Sequence, residues 1–389
     1  MENIIGINES YSTKKIALAI SGGGYRATLY ALGALWRLNE LGVLPKLKTI
    51  TSVSGGSIVS AWLAHNWTKL AFDNTGVASN FTEVIASPIE IFCSQGIDIK
   101  AGITGLFSFK DSIGDKIANA YNEHLFKDAK ISSLPDTGPE FVFYGTNLQT
   151  GSGFQISKAK LHDYQIGDYA NPDILLAKVV AISSAFPPIL SPVHLDTDPE
   201  KWVKGKYSTH FENRELKKRL VLTDGGLYDN LGVERVWKNE GEYSHLLVCD
   251  AGAPLTVTDN VNTNWAGQLL RMTDIMTNQQ RALRKRQIIN SFQDVDENGA
   301  QNSYGGTYFG ITTKINEYKI LDAMTTDNKE NGNLKNIRTR LNSFSEKEQG
   351  QLINWGYALA DAAMRRDVTV AISQPLLKKG SWPKPKYFI

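Results

Sequence analysis

Two strand–turn–helix units follow one another near the start of the chain, and they constrain its fold more than any other feature. The first joins a predicted strand at Lys15–Ile20 to a helix over about 25–41 through the glycines at 22–24. The second joins a strand at Leu47–Val53 to a helix over about 57–67 through a Ser-Gly-Gly turn. Apolar residues recur at helical spacing after each turn. Consecutive units of this kind form a parallel sheet covered by helices.

Later segments extend the same pattern to about residue 255. Strands are predicted at 140–144, 220–222 and 245–248, with a helix at 173–181. The chain of 389 residues is therefore expected to have an α/β fold with a mostly parallel central sheet flanked by helices, whose core is formed by residues 1–255.

The last third of the chain is predicted to be mainly helical. Residues 265–289 have the pattern of one long helix, and Ser345 with Glu348 forms a capping-box signature for a second. We expect residues 256–389 to pack on the core as an extension of it, not as an independent domain.

Composition and charge exclude several classes of function. A hydrophobic fraction of 42% and a charged fraction of 21% are typical of a folded globular protein. The formal charge of +2 is too small to predict nucleic-acid binding. The two cysteines, Cys93 and Cys249, lie among apolar neighbours, which predicts buried thiols and no disulfide or metal site.

The expected location is cytoplasmic, with peripheral contact to membranes. No secretory signal is recognisable at the start of the sequence, and no run of about 18 uncharged apolar residues is present that would predict a transmembrane helix.

Ser54 is the candidate nucleophile, in the turn Ser52-Val53-Ser54-Gly55-Gly56 between the second strand and its helix. Serine hydrolases place their nucleophile on such a strand-to-helix turn, where glycines let the backbone turn sharply and pack closely. Ser52 stands where glycine is usual in this motif, and it still meets the need for a small residue. The alternative interpretation is that Ser54 only caps the following helix.

The loop Ser21-Gly22-Gly23-Gly24-Tyr25-Arg26 lies one strand earlier, at the start of a predicted helix. Free N–H groups and the positive end of a helix dipole suit a developing oxyanion, and glycines leave its approach open. Arg26 could brace this loop or counter negative charge, and the alternative is an ordinary surface arginine.

Asp224 is the candidate base. It follows the predicted strand at 220–222 and precedes Gly225 and Gly226, which places a carboxylate at a strand end with room around it. Catalytic groups of α/β sheets collect at such ends. The six histidines share no motif, and the alternative for Asp224 is a plain Asp-Gly turn.

Together these segments resemble the patatin-like phospholipase family. The resemblance rests on the loop at 21–26, the turn at 52–56 and Asp224-Gly225-Gly226. It extends to Tyr228-Asp229-Asn230 and to Ala181-Ile182-Ser183-Ser184-Ala185-Phe186-Pro187-Pro188, which is similar to the Ser-Ala-x-Pro stretch of the family. It covers roughly residues 15–255 and implies a three-layer α/β/α fold. It also implies a Ser54–Asp224 dyad without histidine, with the segment Gly22-Gly23-Gly24-Tyr25-Arg26 as the oxyanion loop.

The resemblance further implies an enzyme of phospholipase A or lysophospholipase type. Such an enzyme cleaves carboxylic esters of glycerolipids through an acyl intermediate on Ser54 and uses no cofactor and no metal. Its partners would be the lipid substrate and, transiently, a membrane surface.

Two other functions fit parts of the sequence. Ser54, Asp224 and His245 occur in the chain order of an α/β-hydrolase triad, which allows an esterase or protease of that type. A non-catalytic nucleotide- or lipid-binding module could instead use both glycine turns to bind anions. The chain lacks the Lys-Ser/Thr pair of a P-loop, and its second strand ends in Ser54 where a ribose-binding acid would be needed.

Three further segments carry weaker signals. Apolar residues between Ile91 and Phe109 could form an acyl channel or lid, although core packing is the preferred interpretation. In the long helix at 265–289, a basic cluster could meet lipid phosphates, but a solvated face above a buried apolar stripe is preferred. The cluster is Arg281, Arg284, Lys285 and Arg286, and the stripe is Met272, Ile275 and Met276. Asp250 also ends a predicted strand and is interpreted as a turn residue.

Overall fold

The computed structural model describes residues 15–95, 97, 113–188, 190–297, 304–368 and 379–389. Within these ranges a central sheet of eleven strands has the order β11-β10-β1-β2-β3-β4-β5-β6-β8, with β9 paired to β3 and β7 paired to β9. The strands are β1 Lys15–Ile20, β2 Leu47–Val53, β3 Glu140–Asn147, β4 Ser152–Ile156, β5 Lys160–Asp163, β6 Gly167–Ala170, β7 Val193–Asp196, β8 Trp202–Val203, β9 Arg219–Asp224, β10 Tyr243–Asp250 and β11 Gly305–Gly310.

Helices cover both faces of this sheet. They are α1 Gly24–Glu40, α2 Gly55–Asn66, α3 Ser87–Gln95, α4 Ile113–Tyr121, α5 Leu176–Ser184, α6 Glu215–Lys218, α7 Gly226–Asp229, α8 Glu234–Trp237, α9 Trp265–Gln293, α10 Lys329–Asn333 and α11 Glu346–Asp367. Short π-helical turns, Thr82–Ala86 and Asn122–Phe126, adjoin α3 and α4.

The α/β fold predicted from the sequence is confirmed, and the sheet is mixed. Strands β11, β10, β1, β2 and β3 are parallel, as the two opening units require. Strands β3, β4, β5 and β6 pair antiparallel in succession, because short turns connect them instead of crossover helices. The carboxyl ends of β1, β2 and β10 therefore lie along one edge of the sheet, which we call the carboxyl edge.

The C-terminal part of the chain joins the core through a strand and a helix. Strand β11 extends the parallel sheet beside β10, a contribution that the prediction of a mainly helical region missed. Ser345 caps the start of helix α11 with the predicted capping box, and the helix packs along α1. Their backbones approach closely: a Cβ on Gly33 would lie 1.9 Å from the Ile353 carbonyl oxygen, so only glycine fits.

Cys93 and Cys249 are buried and unpaired, as predicted. In the ranges that the structure describes, we find no helix with both the length and the apolar character needed to cross a bilayer.

Candidate active site

Strands β2 and β9 pair with the same edge of β3 and meet end to end. Strand β2 runs parallel to β3 as far as the pair Val53–Tyr144, while β9 runs antiparallel to it and ends at the pair Asp224–Gly145. The residue after β2 is Ser54, so the register brings Ser54 and Asp224 together at the carboxyl edge. The Asp224 carboxylate therefore lies at the end of an antiparallel strand, whereas sequence analysis expected it at the end of a strand in a parallel sheet.

Ser54 lies on a strained turn at this junction. Its backbone has φ 51° and ψ −122°, a conformation that costs a non-glycine residue about 1–3 kcal/mol. The glycines that follow are needed for close packing, since a Cβ on Gly55 would lie 1.9 Å from the Gly24 carbonyl oxygen and one on Gly56 would lie 2.6 Å from that of Ser21. Ser54 itself is 9% exposed.

Ser183, at the end of α5, holds the turn in this conformation. The Ser54 N–H donates to both the carbonyl oxygen and the hydroxyl oxygen of Ser183, at 3.1 and 3.0 Å. The Gly225 N–H donates to the same carbonyl at 3.3 Å. One residue therefore fixes the backbones of both candidate catalytic turns.

A chain of buried hydroxyls continues from Ser183. Ser57 donates to the Ser52 oxygen at 3.1 Å, and the Ser57 and Ser183 oxygens lie 2.8 Å apart. Because the Ser57 proton is directed to Ser52, Ser183 must donate to Ser57, which leaves the Ser183 oxygen free to accept from Ser54 N–H. The departure from glycine at Ser52 thus supplies the acceptor at the end of this chain. Sequence analysis missed Ser57, and it placed Ser183 in the stretch 181–188 that resembles the family without giving it a role, because no local motif links the two serines.

Asp224 is buried and hydrogen bonded at the same point. Its Oδ1 accepts from the Gly226 N–H at 2.6 Å, and its carboxylate accepts from the Ser54 hydroxyl. Burial raises the pKa of Asp224 from 3.8 to about 7, while the bonds from Gly226 and Ser54 act in the opposite direction. A carboxylate with such a pKa can accept a proton near neutral pH, which an exposed aspartate does poorly.

The glycine loop after β1 faces Ser54 at the start of α1. The Gly22 N–H donates to the Asn230 carbonyl oxygen at 3.1 Å, whereas those of Gly23 and Gly24 meet no acceptor in the part of the chain that is described. These two amides, at the positive end of a 17-residue helix, are available as donors to an oxyanion. Gly22 contributes space instead, since a Cβ there would lie 3.0 Å from Ser54 Cβ.

Arg26 braces the loop from inside the protein. It is buried and donates to three carbonyl oxygens, those of Ala251, Lys335 and Ile337, at 2.8 to 3.2 Å. Burial lowers the pKa of Arg26 to about 10. Of the interpretations open from the sequence, the geometry favours bracing over a surface position.

Tyr25 and Val53 are packing residues within their motifs. The Tyr25 ring lies 5.4 Å from that of Phe92 and 6.0 Å from that of Phe344, between ring centroids. Val53 is buried beside Val142 and Tyr144. The Tyr25 side chain anchors the backbone next to Gly24, and the Val53 side chain anchors the backbone next to Ser54.

Asn230 is a polar residue near the dyad that sequence analysis assigned no role. A Cβ on Gly22 would lie 2.4 Å from Asn230 Oδ1, and one on Gly226 would lie 2.6 Å from the same atom. The carboxamide therefore fills the space between the glycine loop and the Asp224 turn.

His245 lies far from Ser54. It belongs to the start of β10, where it pairs with Ile16, while Ser54 follows the opposite end of the neighbouring strands. Burial lowers the pKa of His245 to about 4. The register therefore contradicts a Ser54–Asp224–His245 triad.

The basic cluster of α9 is largely occupied inside the protein. Arg281 pairs with buried Asp250 at 3.3 Å, and Arg284 pairs with Glu234 at 3.0 Å. Lys285 lies 4.2 Å from the centre of the Tyr308 ring. The predicted solvated basic face is wrong for these three residues, and Asp250 is a structural ion-pair partner more than a turn residue.

The acyl-channel hypothesis for 91–109 falls mostly outside the described residues. Among those described, Ile91 is exposed, whereas Phe92 and Cys93 are buried. In the described ranges there is also no cluster of three side chains suited to hold a metal ion.

Comparison with known proteins gives one family and one recurrent fold. The family model described as patatin-like phospholipase matches residues 18–237. No curated protein sequence matches the chain. Among solved structures, human GIVD cytosolic phospholipase A2 is similar, with a TM-score of 0.56 and 12% identity over 92% of this chain and 59% of the other.

Two further structures are similar. The same human phospholipase in complex with methyl gamma-linolenyl fluorophosphonate gives a TM-score of 0.54 at 12% identity, over 92% of this chain and 58% of that one. VipD from Legionella pneumophila gives 0.36 at 16% identity, over 90% and 66%. This chain thus spans about three fifths of the human enzyme, and the likeness to it concerns the fold.

Proposed function

Because the chain belongs to the patatin-like phospholipase family, whose model matches residues 18–237, we propose that it hydrolyses carboxylic esters of glycerolipids with Ser54 as nucleophile and Asp224 as base. Membership of the family implies lipid acyl hydrolysis. The observation that carries the assignment of residues is the register of β2 and β9 on β3, which brings Ser54 and the buried Asp224 carboxylate together at the junction of the two strands.

In the first half of the reaction, Asp224 takes the Ser54 proton while the Ser54 oxygen attacks the ester carbonyl carbon. The carbonyl oxygen becomes an oxyanion, which the N–H groups of Gly23 and Gly24 stabilise. The intermediate then expels the alcohol, which receives the proton from Asp224. The product that remains is an acyl ester on Ser54.

In the second half, water replaces the alcohol. Asp224 takes a proton from the water, which attacks the acyl carbonyl, and the fatty acid leaves as the Ser54 oxygen recovers a proton from Asp224. The raised pKa of Asp224 suits both directions, because a group that titrates near neutral pH can accept and return a proton with little cost. All groups that this scheme uses come from the chain itself, so it needs no cofactor.

The substrate class follows from the family, and its details are part of the proposal. We propose a phospholipase A or lysophospholipase activity, with transient contact between the protein and the lipid surface that presents the substrate. Cytoplasmic action at a membrane surface is consistent with this scheme.

A fluorophosphonate probe tests the nucleophile directly, since only an activated serine reacts readily with it. We expect labelling of the full chain at Ser54, and loss of labelling and of ester hydrolysis in Ser54→Ala. Asp224→Asn should lose hydrolysis as well. His245→Ala is the matched control and should keep both, because His245 lies at the other end of the sheet. Full hydrolysis by Ser54→Ala would disprove the proposal.

A further inference from the structure

Helix α9 extends beyond the core on the side of the sheet that carries Ser54. In the described residues, its hydrogen bonds and ion pairs with the core begin at Asn278, which donates to the Ala253 carbonyl, and at Arg281, which pairs with Asp250 at the end of β10. Further along, Ile288 packs in the same cluster as Leu246, inside β10. The helix therefore runs inward from the carboxyl edge, and the residues before Asn278 project outward from it.

The projecting part, Trp265 to Thr277, is 13 residues and about 20 Å long. Within the described ranges, no hydrogen bond or ion pair joins it to the core, and its hydrogen bonds stay within the helix and the preceding loop. We call residues 265–277 the projecting helix.

Large apolar side chains cover the projecting helix and are exposed to solvent. They are Trp265, Leu269, Leu270, Met272, Ile275 and Met276. Trp265 is 80% exposed and Met276 is 65% exposed. The sequence predicted that Met272, Ile275 and Met276 would form a buried stripe, and the structure shows that this is wrong. A contiguous apolar surface of this kind marks an interaction site.

The charge of the projecting helix limits what it can bind. Arg271 and Asp274 are its only charged residues, so it has no net charge. An anionic partner would find one cationic residue, Arg271, whose charge Asp274 offsets, whereas an apolar phase needs no charged partner. The projecting helix leaves the core at Asp250, the carboxyl end of β10, which lies on the same edge of the sheet as Ser54.

We propose that the projecting helix inserts its apolar side chains into the lipid surface from which Ser54 draws its substrate. This inference rests on the proposed function and names the element that makes the membrane contact. Insertion is driven by burial of apolar area, so it does not depend on anionic lipid or on low salt.

The test compares the full-length protein with a variant that carries Leu269→Gln, Met272→Gln and Met276→Gln together. Glutamine preserves helix propensity and approximate size while removing apolar area. Leu283→Gln is the matched control, because Leu283 is an exposed leucine of α9 that lies beyond the projecting part. Binding is measured by co-sedimentation with phosphatidylcholine vesicles, and hydrolysis with those vesicles and with a dissolved short-chain ester.

We expect the triple variant to lose vesicle binding by at least about tenfold, and vesicle hydrolysis by a similar factor, while hydrolysis of the dissolved ester is unchanged. The Leu283→Gln variant should match the unmodified protein. Unchanged vesicle binding in the triple variant would overturn the proposal, as would binding that requires anionic lipid and disappears in high salt. A dimer that the triple substitution dissociates would assign the surface to a second copy of this chain instead.

Failure of the proposed function has a different signature. An unmodified protein that hydrolyses neither substrate, while its vesicle binding still depends on the projecting helix, would refute the catalytic assignment and leave the docking surface intact.

Discussion

The buried carboxylate of Asp224 should make the protein less stable as the pH rises, and Asp224→Asn should remove that dependence. In the folded state the pKa of Asp224 is about 7, against an ordinary value of 3.8. The folded protein therefore binds this proton more tightly than the unfolded chain does. The stabilising contribution is fully present below about pH 4 and is lost as the pH rises to about 7.

The size of the effect follows from the two pKa values. Each pH unit between them corresponds to about 1.4 kcal/mol, so the full contribution is about 4 kcal/mol, and about 2 kcal/mol of it is lost between pH 5 and pH 7, where Asp224 is half ionised. Asparagine keeps an acceptor for the Gly226 N–H and does not titrate. The variant should gain about 3 kcal/mol over the unmodified protein between about pH 5 and about pH 8.

Urea denaturation of the unmodified protein and of Asp224→Asn at pH 5 and at pH 8 measures this difference, because the contributions of the other titrating groups cancel in the comparison. Ser54→Ala is the control: it retains Asp224 and loses only a hydrogen bond that lowers the pKa of Asp224, so its stability should still fall with pH. A difference between Asp224→Asn and the unmodified protein that stays constant from pH 5 to pH 8 would refute the burial argument. The same titration should give ester hydrolysis that rises with pH to about 7 and then levels off, as Asp224 ionises.

Three further substitutions test the supports of the site. Ser183→Ala removes the hydroxyl that accepts from Ser54 N–H, so kcat should fall about fivefold with KM unchanged. The rate of fluorophosphonate labelling should fall by the same factor. A change in KM as large as the change in kcat would contradict a positioning role. Gly24→Ala should destabilise the protein by more than about 3 kcal/mol in thermal unfolding, since its Cβ would lie 1.4 Å from the Thr339 carbonyl oxygen. Gly151→Ala is the control, because Gly151 also has a positive φ but its Cβ would meet no neighbouring atom, so this substitution should cost only about 1 kcal/mol. Arg26→Lys loses most of the hydrogen bonds to carbonyl oxygens that brace the glycine loop, so the free energy of unfolding should fall by about 3 kcal/mol in the same assay. A variant as stable as the unmodified protein would contradict the bracing role.

Much of the site is local in sequence and could be predicted from it. A strained serine turn needs small residues around it, and a strand followed by glycines and a helix produces an anion-binding loop wherever it occurs. The positions of Ser54, Gly23 and Gly24 at the starts of α1 and α2 follow from these local rules. The capping box at Ser345 is local in the same sense, and it marked the start of α11 correctly.

Other features depend on contacts between distant segments, which no local pattern encodes. Asp224 reaches Ser54 because β9 runs antiparallel along the edge of β3 that β2 leaves free, and strand direction is set by pairing. Ser183 lies 129 positions after Ser54, and only the packing of α5 makes it a partner.

The sequence by itself determined which chemical groups this protein has at its strand ends and the α/β fold that presents them. Only the tertiary structure decided which of those groups meet, how dry their surroundings are, and which apolar surfaces find a partner. The physical reason is visible in α9: periodicity identifies an apolar stripe at Met272, Ile275 and Met276, but burial requires a neighbouring element, and the chain before Asn278 has already left the core.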